Sequence, residues 1–288
     1  MIKILVTGAL GQLGSSIKFV AGKREDFLFD YTDLAELDIC NPASVENYVS
    51  GTSPDYIINC AAYTAVDKAQ TEQELCFRIN AEAVKNLSLA ANRNNTKIIH
   101  ISTDYVFNGR NYKPYTEEDI PEPDSVYGQS KLKGEAYLLG DANAIIIRTS
   151  WLYSQFGNNF LKTMARFGKE RDEIRVVNDQ TGTPAYAPDL AKAILSIIDF
   201  TETHGKNFIP GIYHYSNEGI TSWYDFAWEI IDSLKLNCKV TAIETKDYPT
   251  AAPRPAYSVL NKAKIRNTFG LRIPHWKESL RECIKYLN

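Results

Sequence analysis

The sequence predicts an α/β fold in which a doubly wound parallel sheet is followed by a smaller, mixed domain. Two observations lead to this expectation. Over residues 1–150, apolar runs alternate with helix-compatible stretches, which is typical of parallel strands covered on both faces and joined by right-handed crossovers. After Trp151 the alternation weakens and prolines interrupt it, which indicates a second, smaller unit.

Local signals define the elements of this first part. Asn41 and Pro42 provide a cap and a first-turn proline for a helix that Gly51 closes, and a longer helix is expected over residues 71–94. Residues 108–124 hold three prolines and few apolar side chains, so they predict a loop at the carboxyl edge of the sheet, placed to cover a site. Strands are expected at residues 2–7, 27–31, 56–60, 97–102 and 144–148.

A glycine-rich turn directly follows the first apolar run. Gly8 permits a tight turn, Gly11 lets the backbone approach a pyrophosphate, and Gly14 lets the next helix pack on the strand. Gln12 and Leu13 lie within the turn, at the expected helix N-terminus, where free amides and the helix dipole favour an anion. The turn therefore predicts a Rossmann-type dinucleotide-binding site.

The chain is expected to form two domains. We predict a dinucleotide-binding domain over residues 1–150, to which the chain returns around residues 175–205. Residues 151–174 and 206–288 are then expected to form a substrate-binding domain that closes over the first. Within this second half the pattern predicts helices at 189–200, 222–234 and 276–287, a strand at 211–216 and a proline-rich turn at 249–255.

Composition excludes several classes of function. The 288 residues carry a net charge of −3 without blocks of like charge, so neither nucleic acid nor an anionic membrane is an expected partner. The five cysteines lack a CxxC pair and the four histidines show no ligand spacing, so no metal site is expected. The glycine turn follows so soon after Met1 that we expect no signal peptide, and no apolar run has transmembrane length. A cytoplasmic location with reduced thiols is expected.

Acidic residues near the end of the second strand are candidates for the adenosine half of the cofactor. A carboxylate about 20 residues beyond the glycines is expected to bind the ribose, and both Asp30 and Asp33 fall there. Asp38 and Ile39 can frame the adenine, while Asp38 can equally cap the helix that begins at Pro42. The sequence leaves both choices open.

Small residues end the third strand, where they let a backbone approach a ligand closely. Ala61 and Ala62 fit this role, although core packing would explain them as well. Tyr63 and Thr64 are the better candidates for direct contact, because polar groups at the carboxyl edge of a sheet face the crevice.

Tyr127 and Lys131 form the candidate catalytic pair. Their i, i+4 spacing places both on one helix face, where an ammonium can stabilise the phenolate and lower the phenol pKa towards neutrality. Ser102 and Thr103 end the fourth strand, and either hydroxyl can bind a substrate carbonyl oxygen. Strand alternation sends their side chains to opposite faces, so only one can do so.

At these residues the chain resembles the extended short-chain dehydrogenase/reductases, and within them the dTDP-4-dehydrorhamnose reductase family. The resemblance runs from end to end of the chain. It is carried by residues 8–14, 37–39, 59–69, 102–107, 127–131, 148–153, 178–180 and 254–255.

The resemblance implies reduction of the 4-keto group of dTDP-4-dehydro-β-L-rhamnose to dTDP-L-rhamnose, with hydride from NADPH or NADH. It implies that Tyr127 is the proton donor, that Lys131 assists it, and that Thr103 rather than Ser102 completes the triad. Tyr127 and Lys131 also contact the cofactor in this view. The implied sugar pocket comprises Val66, Asp104, Tyr105 and Trp151, with Arg254 suited to the diphosphate; Trp151 could otherwise be core.

The resemblance leaves two points open. Asn80 stands where related reductases often use an asparagine, and a structural role inside the helix is as well supported. Some members pair through a metal held by glutamates, but here Ser16 and Pro188 occupy the matching places, with Asp189 one residue beyond. A metal-linked dimer is therefore not expected unless Asp189 substitutes, and both a monomer and a homodimer stay open.

Two other functions compete with reduction. An epimerase or dehydratase of the extended class would share the glycine turn and the YxxxK pair, but Thr103-Asp104 is followed here by Tyr105 instead of a glutamate, which leaves no evident base. Relatives that serve as regulatory subunits of methionine adenosyltransferase bind a dinucleotide without turnover, and the intact triad argues against this role. The sequence decides neither between NADPH and NADH nor which glycan would receive the rhamnose.

Overall fold

A six-stranded parallel sheet forms the centre of the molecule. The computed structural model describes residues 1–22, 24–203 and 208–287. Their strands are β1 Ile2–Thr7, β2 Phe27–Thr32, β3 Tyr56–Asn59, β4 Lys97–Thr103, β5 Ala144–Thr149, β6 Leu152–Tyr153, β7 Glu173–Val177, β8 Thr181–Gly182, β9 Ala185–Tyr186, β10 Gly211–Tyr215, β11 Thr221–Ser222 and β12 Lys239–Ile243. The central sheet has the order β10-β5-β4-β3-β1-β2, with every neighbouring pair parallel.

The predicted α/β fold with a doubly wound parallel sheet is confirmed, and each predicted strand agrees with an observed one to within a residue or two. Thr7 at the end of β1 lies opposite Asn59 on β3, and Thr103 at the end of β4 lies opposite Thr149 on β5. The carboxyl ends of the strands therefore meet at one edge, where α/β folds bind their ligands.

Helices cover both faces of the sheet. The described helices are α1 Gln12–Ala21, α2 Pro42–Thr52, α3 Gln73–Phe77, α4 Ala83–Arg93, α5 Val126–Ala136, α6 Phe160–Glu170, α7 Ala187–Thr203, α8 Trp223–Ser233, α9 Ala263–Phe269 and α10 Trp276–Ile284. On one face α1 and α7 pack on apolar side chains such as Ile4 and Val6. On the other, α2 and α4 pack on side chains such as Leu5 and Ile57. Strands buried on both sides explain the continuous apolar runs of the sequence.

The helix predicted over residues 71–94 is present, but it contains one wider turn. Between α3 and α4 the backbone forms a π turn over Arg78–Glu82. A Cβ added at Gly134 on α5 would lie only 2.2 Å from the carbonyl oxygen of Asn80, so α5 packs directly against this turn. Such turns are uncommon and frequently lie at functional sites.

The predicted cap of α2 is confirmed. The Asn41 side chain accepts hydrogen bonds from the amides of Ala43 and Ser44, and Pro42 is the first helical residue. The helix ends at Thr52, one residue beyond the predicted Gly51. The alternative that Asp38 caps this helix is wrong, because its carboxylate accepts from the Cys40 amide instead.

The second half of the chain builds a smaller unit beside the sheet. The two-stranded sheets β7·β12, β8·β11 and β6·β9 belong to it, and α6, α8 and α10 share an apolar core around Phe226. The division into two domains stays a prediction, and several segments depart from it. β10 joins the central sheet although it falls within residues 206–288. β8, β9 and part of β7 fall within residues 175–205, but they pair with strands of the smaller unit.

The predicted loop over residues 108–124 contains no helix or strand. A β-bridge between Tyr115 and Leu260 ties it to the smaller unit, as does a hydrogen bond from the Tyr257 amide to the Gly109 carbonyl oxygen. Among the residues that the structure describes, no helix is long and apolar enough to cross a membrane.

Candidate active site

Two positions of the glycine turn leave no room for a side chain, and at the first of them the backbone is also left-handed. Gly8 has φ of +67°, and a Cβ there would lie 2.6 Å from the Ala61 amide nitrogen. At Gly14 a Cβ would lie 2.5 Å from the Gly8 carbonyl oxygen. Gly11 precedes α1 without any side-chain cap, and the nearest atom to an added Cβ there is 3.2 Å away. The amides that open α1 are therefore free for an anion.

A cleft of about 780 Å³ lies against this turn. Its volume is within the range of small-molecule and cofactor sites, and the crowding at Gly8 and Gly14 brings the backbone close to any molecule in it. The residues present thus fit a dinucleotide. The lining includes Gly8, Gly11, Asp33, Asp38, Ile39, Ala61 and Ala62.

Other predicted cofactor residues lie outside the cleft lining. Leu13 is buried in the core, so only its backbone can face a ligand. Gln12 binds Asn159 and Ser154 of the smaller unit through its side-chain oxygen. Tyr63 donates to Glu72, and Thr64 is exposed beside it. The turn after β3 therefore presents Cys60 and its two alanines to the cleft, and not Tyr63 or Thr64.

The structure separates the two acidic candidates on β2 and its following loop. Asp30 accepts a hydrogen bond at 2.9 Å from the hydroxyl of Tyr48, which lies on α2 outside the cleft. Asp33 accepts from the Leu10 amide at 3.0 Å and lines the cleft beside the glycine turn. Of the two, Asp33 is the carboxylate that lines the cleft.

Two glycines let α5 lie close to the end of the sheet. Ser125 caps the helix by accepting from the Gly128 amide at 3.1 Å. A Cβ at Gly128 would lie 2.2 Å from the Tyr105 carbonyl oxygen, and Gly134 lies equally close to the π turn. The helix is therefore held at both ends, with Tyr127 in its first turn.

Tyr127 is buried beside the end of β4. The rings of Tyr105 and Tyr127 pack edge to face with their centroids 5.5 Å apart, and Val66 packs in the same cluster. Burial raises the phenol pKa, and the nearby Thr103 hydroxyl opposes that rise. The expected lowering towards neutrality is not observed, because desolvation disfavours the phenolate.

Lys131 is also buried, and its amine contacts the neighbouring strand. Nζ donates to the Ile101 carbonyl oxygen at 2.7 Å and lies 3.4 Å from His100 Nε2. Burial lowers the pKa of Lys131 to about 8, against the opposing charge of Glu135. The lysine is thus close to titration in the physiological range.

The hydroxyls of Ser102 and Thr103 point in opposite directions, as strand alternation requires. Ser102 donates to Glu135 at 2.5 Å. Thr103 donates to Asp104 Oδ1 at 3.0 Å, and its hydroxyl influences the phenol of Tyr127. Thr103 is the strand-end hydroxyl on the Tyr127 side.

A buried ion pair that we did not predict holds the far end of α5. Arg148 on β5 donates from Nη2 to Glu135 Oε2 at 2.7 Å and from Nε to Oε1 at 3.0 Å. Side-chain exposure is 2% for Arg148 and 1% for Glu135. The repeated i+4 step from Tyr127 through Lys131 to Glu135 was the available sequence signal.

Asp104 Oδ2 and Ser258 Oγ form a pair of buried polar atoms near Thr103 that lack a partner among the described residues. Thr149 Oγ1, opposite Thr103 on β5, is another such atom. Burial raises the pKa of Asp104 to about 6, while the nearby Ser258 and Thr103 hydroxyls oppose the rise. Buried polar groups are normally hydrogen-bonded. The sequence did not predict a role for Ser258, because its only signal is its position shortly after Arg254-Pro255.

Trp151 lies close to this pair. Its ring stacks on Trp223 with centroids 3.6 Å apart. A Cβ at Gly182 would meet both the Trp151 ring, at 2.5 Å, and Ser258 Oγ, at 2.7 Å. Trp151 has φ of +47°, an unfavourable left-handed conformation for a side chain of this size. Such strain frequently accompanies a ligand site.

Arg254 reaches back to the first half of the chain. Its Nη2 donates to Asp67 Oδ2 at 2.6 Å and its Nη1 to the Ala252 carbonyl oxygen at 3.1 Å. Together with Tyr105 it lines a small cavity. A diphosphate would therefore have to share this guanidinium with Asp67.

Asn80 has a clear structural role. Its side-chain oxygen accepts from the Tyr63 amide at 2.9 Å, and Nδ2 donates to the Tyr63 carbonyl and to Ser130 Oγ, each at 3.0 Å. It therefore ties the loop after β3 to α5, next to Tyr127.

No group of three or more potential metal ligands occurs in the described part of the chain; His204 lies outside it. Ser16 is buried and donates to the Gln12 carbonyl oxygen. Asp189 is buried, and its Oδ2 accepts from Ser279 at 2.5 Å and from Asn217 at 3.0 Å. Its carboxylate is thus bound within the chain, with Oδ1 3.3 Å from Lys192 Nζ.

A doubly wound sheet with this glycine turn, and with a Tyr-x-x-x-Lys helix beside a strand-end hydroxyl, defines an extended short-chain dehydrogenase/reductase. A family model described as RmlD substrate binding domain matches residues 2–288. The chain belongs to this family, that of the dTDP-4-dehydrorhamnose reductases, as predicted. A dTDP-4-dehydrorhamnose reductase of Aggregatibacter actinomycetemcomitans is 42% identical, with 99% of each sequence covered.

Solved structures agree with this assignment. A dTDP-4-dehydrorhamnose reductase from Clostridium acetobutylicum is 42% identical, with a TM-score of 0.93 and 99% of each chain covered. One from Bacillus anthracis, in complex with NADP, is 38% identical, with a TM-score of 0.93 and 99% of each chain covered.

Proposed function

We propose that this protein reduces the 4-keto group of dTDP-4-dehydro-β-L-rhamnose to dTDP-L-rhamnose with NADPH or NADH. The observation that carries the proposal is the Thr103 hydroxyl beside the Tyr127 phenol at the carboxyl edge of the sheet, with Lys131 one helical turn further along α5. The names of the relatives, and the NADP bound to the Bacillus anthracis structure, support the same reaction.

The cofactor would be held along the cleft. The free amides at the start of α1 would bind the pyrophosphate, Asp33 the adenosine ribose, and Asp38 with Ile39 the adenine. When bound, it supplies the hydride for the carbonyl carbon. The remaining chemistry belongs to side chains of this chain.

Thr103 and Tyr127 would donate hydrogen bonds to the substrate carbonyl oxygen and so polarise it. As the oxygen gains negative charge, the Tyr127 O–H bond breaks and its proton forms the new hydroxyl. The raised phenol pKa keeps Tyr127 in the acid form at neutral pH. Lys131, still largely charged below its pKa of about 8, would stabilise the phenolate that results.

The sugar nucleotide would lie beyond the carbonyl, between the two halves of the molecule. Asp104 Oδ2 and Ser258 Oγ, an acceptor and a donor without partners among the described residues, suit a sugar hydroxyl, which can serve both. Val66, Tyr105 and Trp151 supply apolar surface, and Arg254 suits the diphosphate.

The decisive assay is NADPH oxidation that depends on a dTDP-4-keto sugar, with dTDP-L-rhamnose identified as the product. A non-catalytic dinucleotide-binding subunit would bind NADPH and leave its absorbance unchanged. An epimerase or dehydratase would convert the sugar without net consumption of NADPH. Either result would reject the proposal.

We also propose a cytoplasmic location, consistent with the five free cysteines.

Gly11→Val is expected to weaken NADPH and NADH alike, by about 10-fold or more, because its side chain would occupy the backbone approach to the pyrophosphate that both share. The fold is expected to survive, since Gly11 has ordinary φ and only one close neighbour. Fluorescence titration measures both affinities. Gly51→Val, at an open position of α2, is the matched control; unchanged affinities in folded Gly11→Val would reject the phosphate turn.

Trp151→Ala is expected to raise KM for the dTDP-sugar by about 10-fold, because it removes a large apolar surface beside the proposed sugar site. Dinucleotide affinity is expected to stay unchanged, since Trp151 does not line the cleft. Steady-state kinetics and cofactor titration test both parts. Trp228→Ala, an exposed tryptophan on α8, is the control. Lost NADPH binding with an unchanged sugar KM would contradict the proposed division into two domains.

A further inference from the structure

Behind Lys131, buried polar side chains form a row across three strands. Lys131 Nζ lies 3.4 Å from His100 Nε2 on β4, and His100 Nδ1 lies 3.0 Å from Asn59 Nδ2 on β3. Asn59 Oδ1 in turn accepts from Thr7 Oγ1 on β1 at 2.8 Å. Exposure of all four side chains is at most 2%. The mechanism above gives His100 and Asn59 no role.

The orientation of the Asn59 amide follows from its neighbours. Its Oδ1 accepts from the Ala61 amide at 3.2 Å as well as from Thr7. Exchanging oxygen and nitrogen would set the Asn59 NH₂ against the Ala61 N–H, two donors facing each other. Nδ2 therefore points at His100 and donates to its Nδ1.

His100 then has a single arrangement. Burial and the nearby charge of Lys131 lower its pKa well below the ordinary value, so the ring carries one proton. Because Nδ1 accepts from Asn59, that proton is on Nε2 and faces Lys131. A neutral amine can accept this hydrogen bond while it donates to the Ile101 carbonyl oxygen. An ammonium, with three donors and no acceptor, cannot.

We propose that Asn59 and His100 are positioning residues that disfavour the charged form of Lys131 and so set the pH above which the reductase loses turnover. The proposal rests on the function proposed above. It concerns a lysine whose other titratable neighbours come from three elements: Cys60 after β3, Cys76 on α3 and Glu135 on α5 itself.

These other groups do not replace the effect of His100. Glu135 favours the ammonium, whereas burial, the largest influence on the pKa of Lys131, disfavours it. Burial also raises the pKa of the Cys60 and Cys76 thiols, so both are neutral near pH 8. The His100 N–H therefore adds to desolvation and opposes the carboxylate.

The pH dependence of kcat tests the proposal. The wild-type protein is expected to lose turnover as pH rises through about 8, since the ammonium is lost there. In His100→Gln an amide oxygen can face Lys131, and the alkaline limb is expected to move up by about one pH unit or more. In Asn59→Asp the new carboxylate accepts a hydrogen bond from His100 Nδ1–H. His100 Nε2 is then free to accept from the Lys131 ammonium, so the alkaline limb is expected to move in the same direction. An unmoved limb in both folded variants would overturn the proposal.

Long-range ¹H–¹⁵N NMR of the ¹⁵N-histidine-labelled protein provides a readout without substrate. The signal that disappears in His100→Gln is expected to show the proton on Nε2 in wild type and on Nδ1 in Asn59→Asp. If the wild-type protein carried the His100 proton on Nδ1, the inference would be overturned, whether or not the protein turns over the sugar. His214→Gln removes another fully buried histidine, which contacts Tyr115 and Arg148, and is expected to leave the alkaline limb in place.

Discussion

Replacing Tyr127 by phenylalanine is expected to lower kcat by about 10² to 10⁴-fold, the usual contribution of a general acid. The phenol is the proposed proton source for the developing alkoxide, and a phenyl ring keeps its packing against Tyr105 and Val66. Cofactor affinity is therefore expected to change little. Pre-steady-state measurement of NADPH oxidation, with separate titration of the dinucleotide, distinguishes loss of chemistry from loss of binding.

Tyr137→Phe is the matched control. Tyr137 directly follows α5, and its hydroxyl contacts Glu82, away from Thr103. Its removal is expected to leave kcat close to the wild-type value. If Tyr127→Phe kept more than about a third of wild-type kcat, Tyr127 could not be the proton donor.

Glu135→Leu is expected to destabilise the protein by about 3–5 kcal/mol, the cost of leaving one member of a buried ion pair without its partner. The Arg148 guanidinium would keep the Phe107 ring and a 3.5 Å contact with His214 Nε2, and neither carries a negative charge. Ser102 would also lose its acceptor. Urea unfolding followed by circular dichroism measures the free energy of unfolding.

Two further variants separate pairing from packing. The double variant Glu135→Leu with Arg148→Met removes both charges and is expected to recover much of the loss, because apolar replacement of a whole buried pair is often neutral. Glu46→Ala breaks the exposed pair with Arg93 and is expected to cost about 0–1 kcal/mol. A loss of less than about 1 kcal/mol in Glu135→Leu would show that the pair is not needed to hold α5.

The fold was predictable because its signals are local and agree with one another. Continuous apolar runs, the Asn41-Pro42 cap and the glycine turn each depend on neighbours in sequence. The π turn between α3 and α4 was not predictable, since it depends on the approach of Gly134 from a distant helix. The pairing of β10 with the central sheet likewise depends on a long-range register.

The candidate site was predictable in part. Spacing alone indicated Tyr127 and Lys131, but it could not choose between Ser102 and Thr103. That choice depends on which face of β4 packs against Glu135 of α5. Spacing also predicted a lowered phenol pKa, whereas burial of Tyr127 raises it. Desolvation is a property of the packed molecule, and no short motif reports it.

The π turn of Arg78–Glu82 changes how an insertion or a deletion there should be interpreted. Each α-helical residue turns the chain by about 100°. The extra residue lets Asn80 face Ser130 while Val84 packs into the core on the sheet. A relative one residue shorter at this point can form a regular helix, but it must give up one of these two contacts. A gap in an aligned sequence here would therefore record a rebuilt support for the Tyr127 helix, even though it lies within a helix and not in a loop.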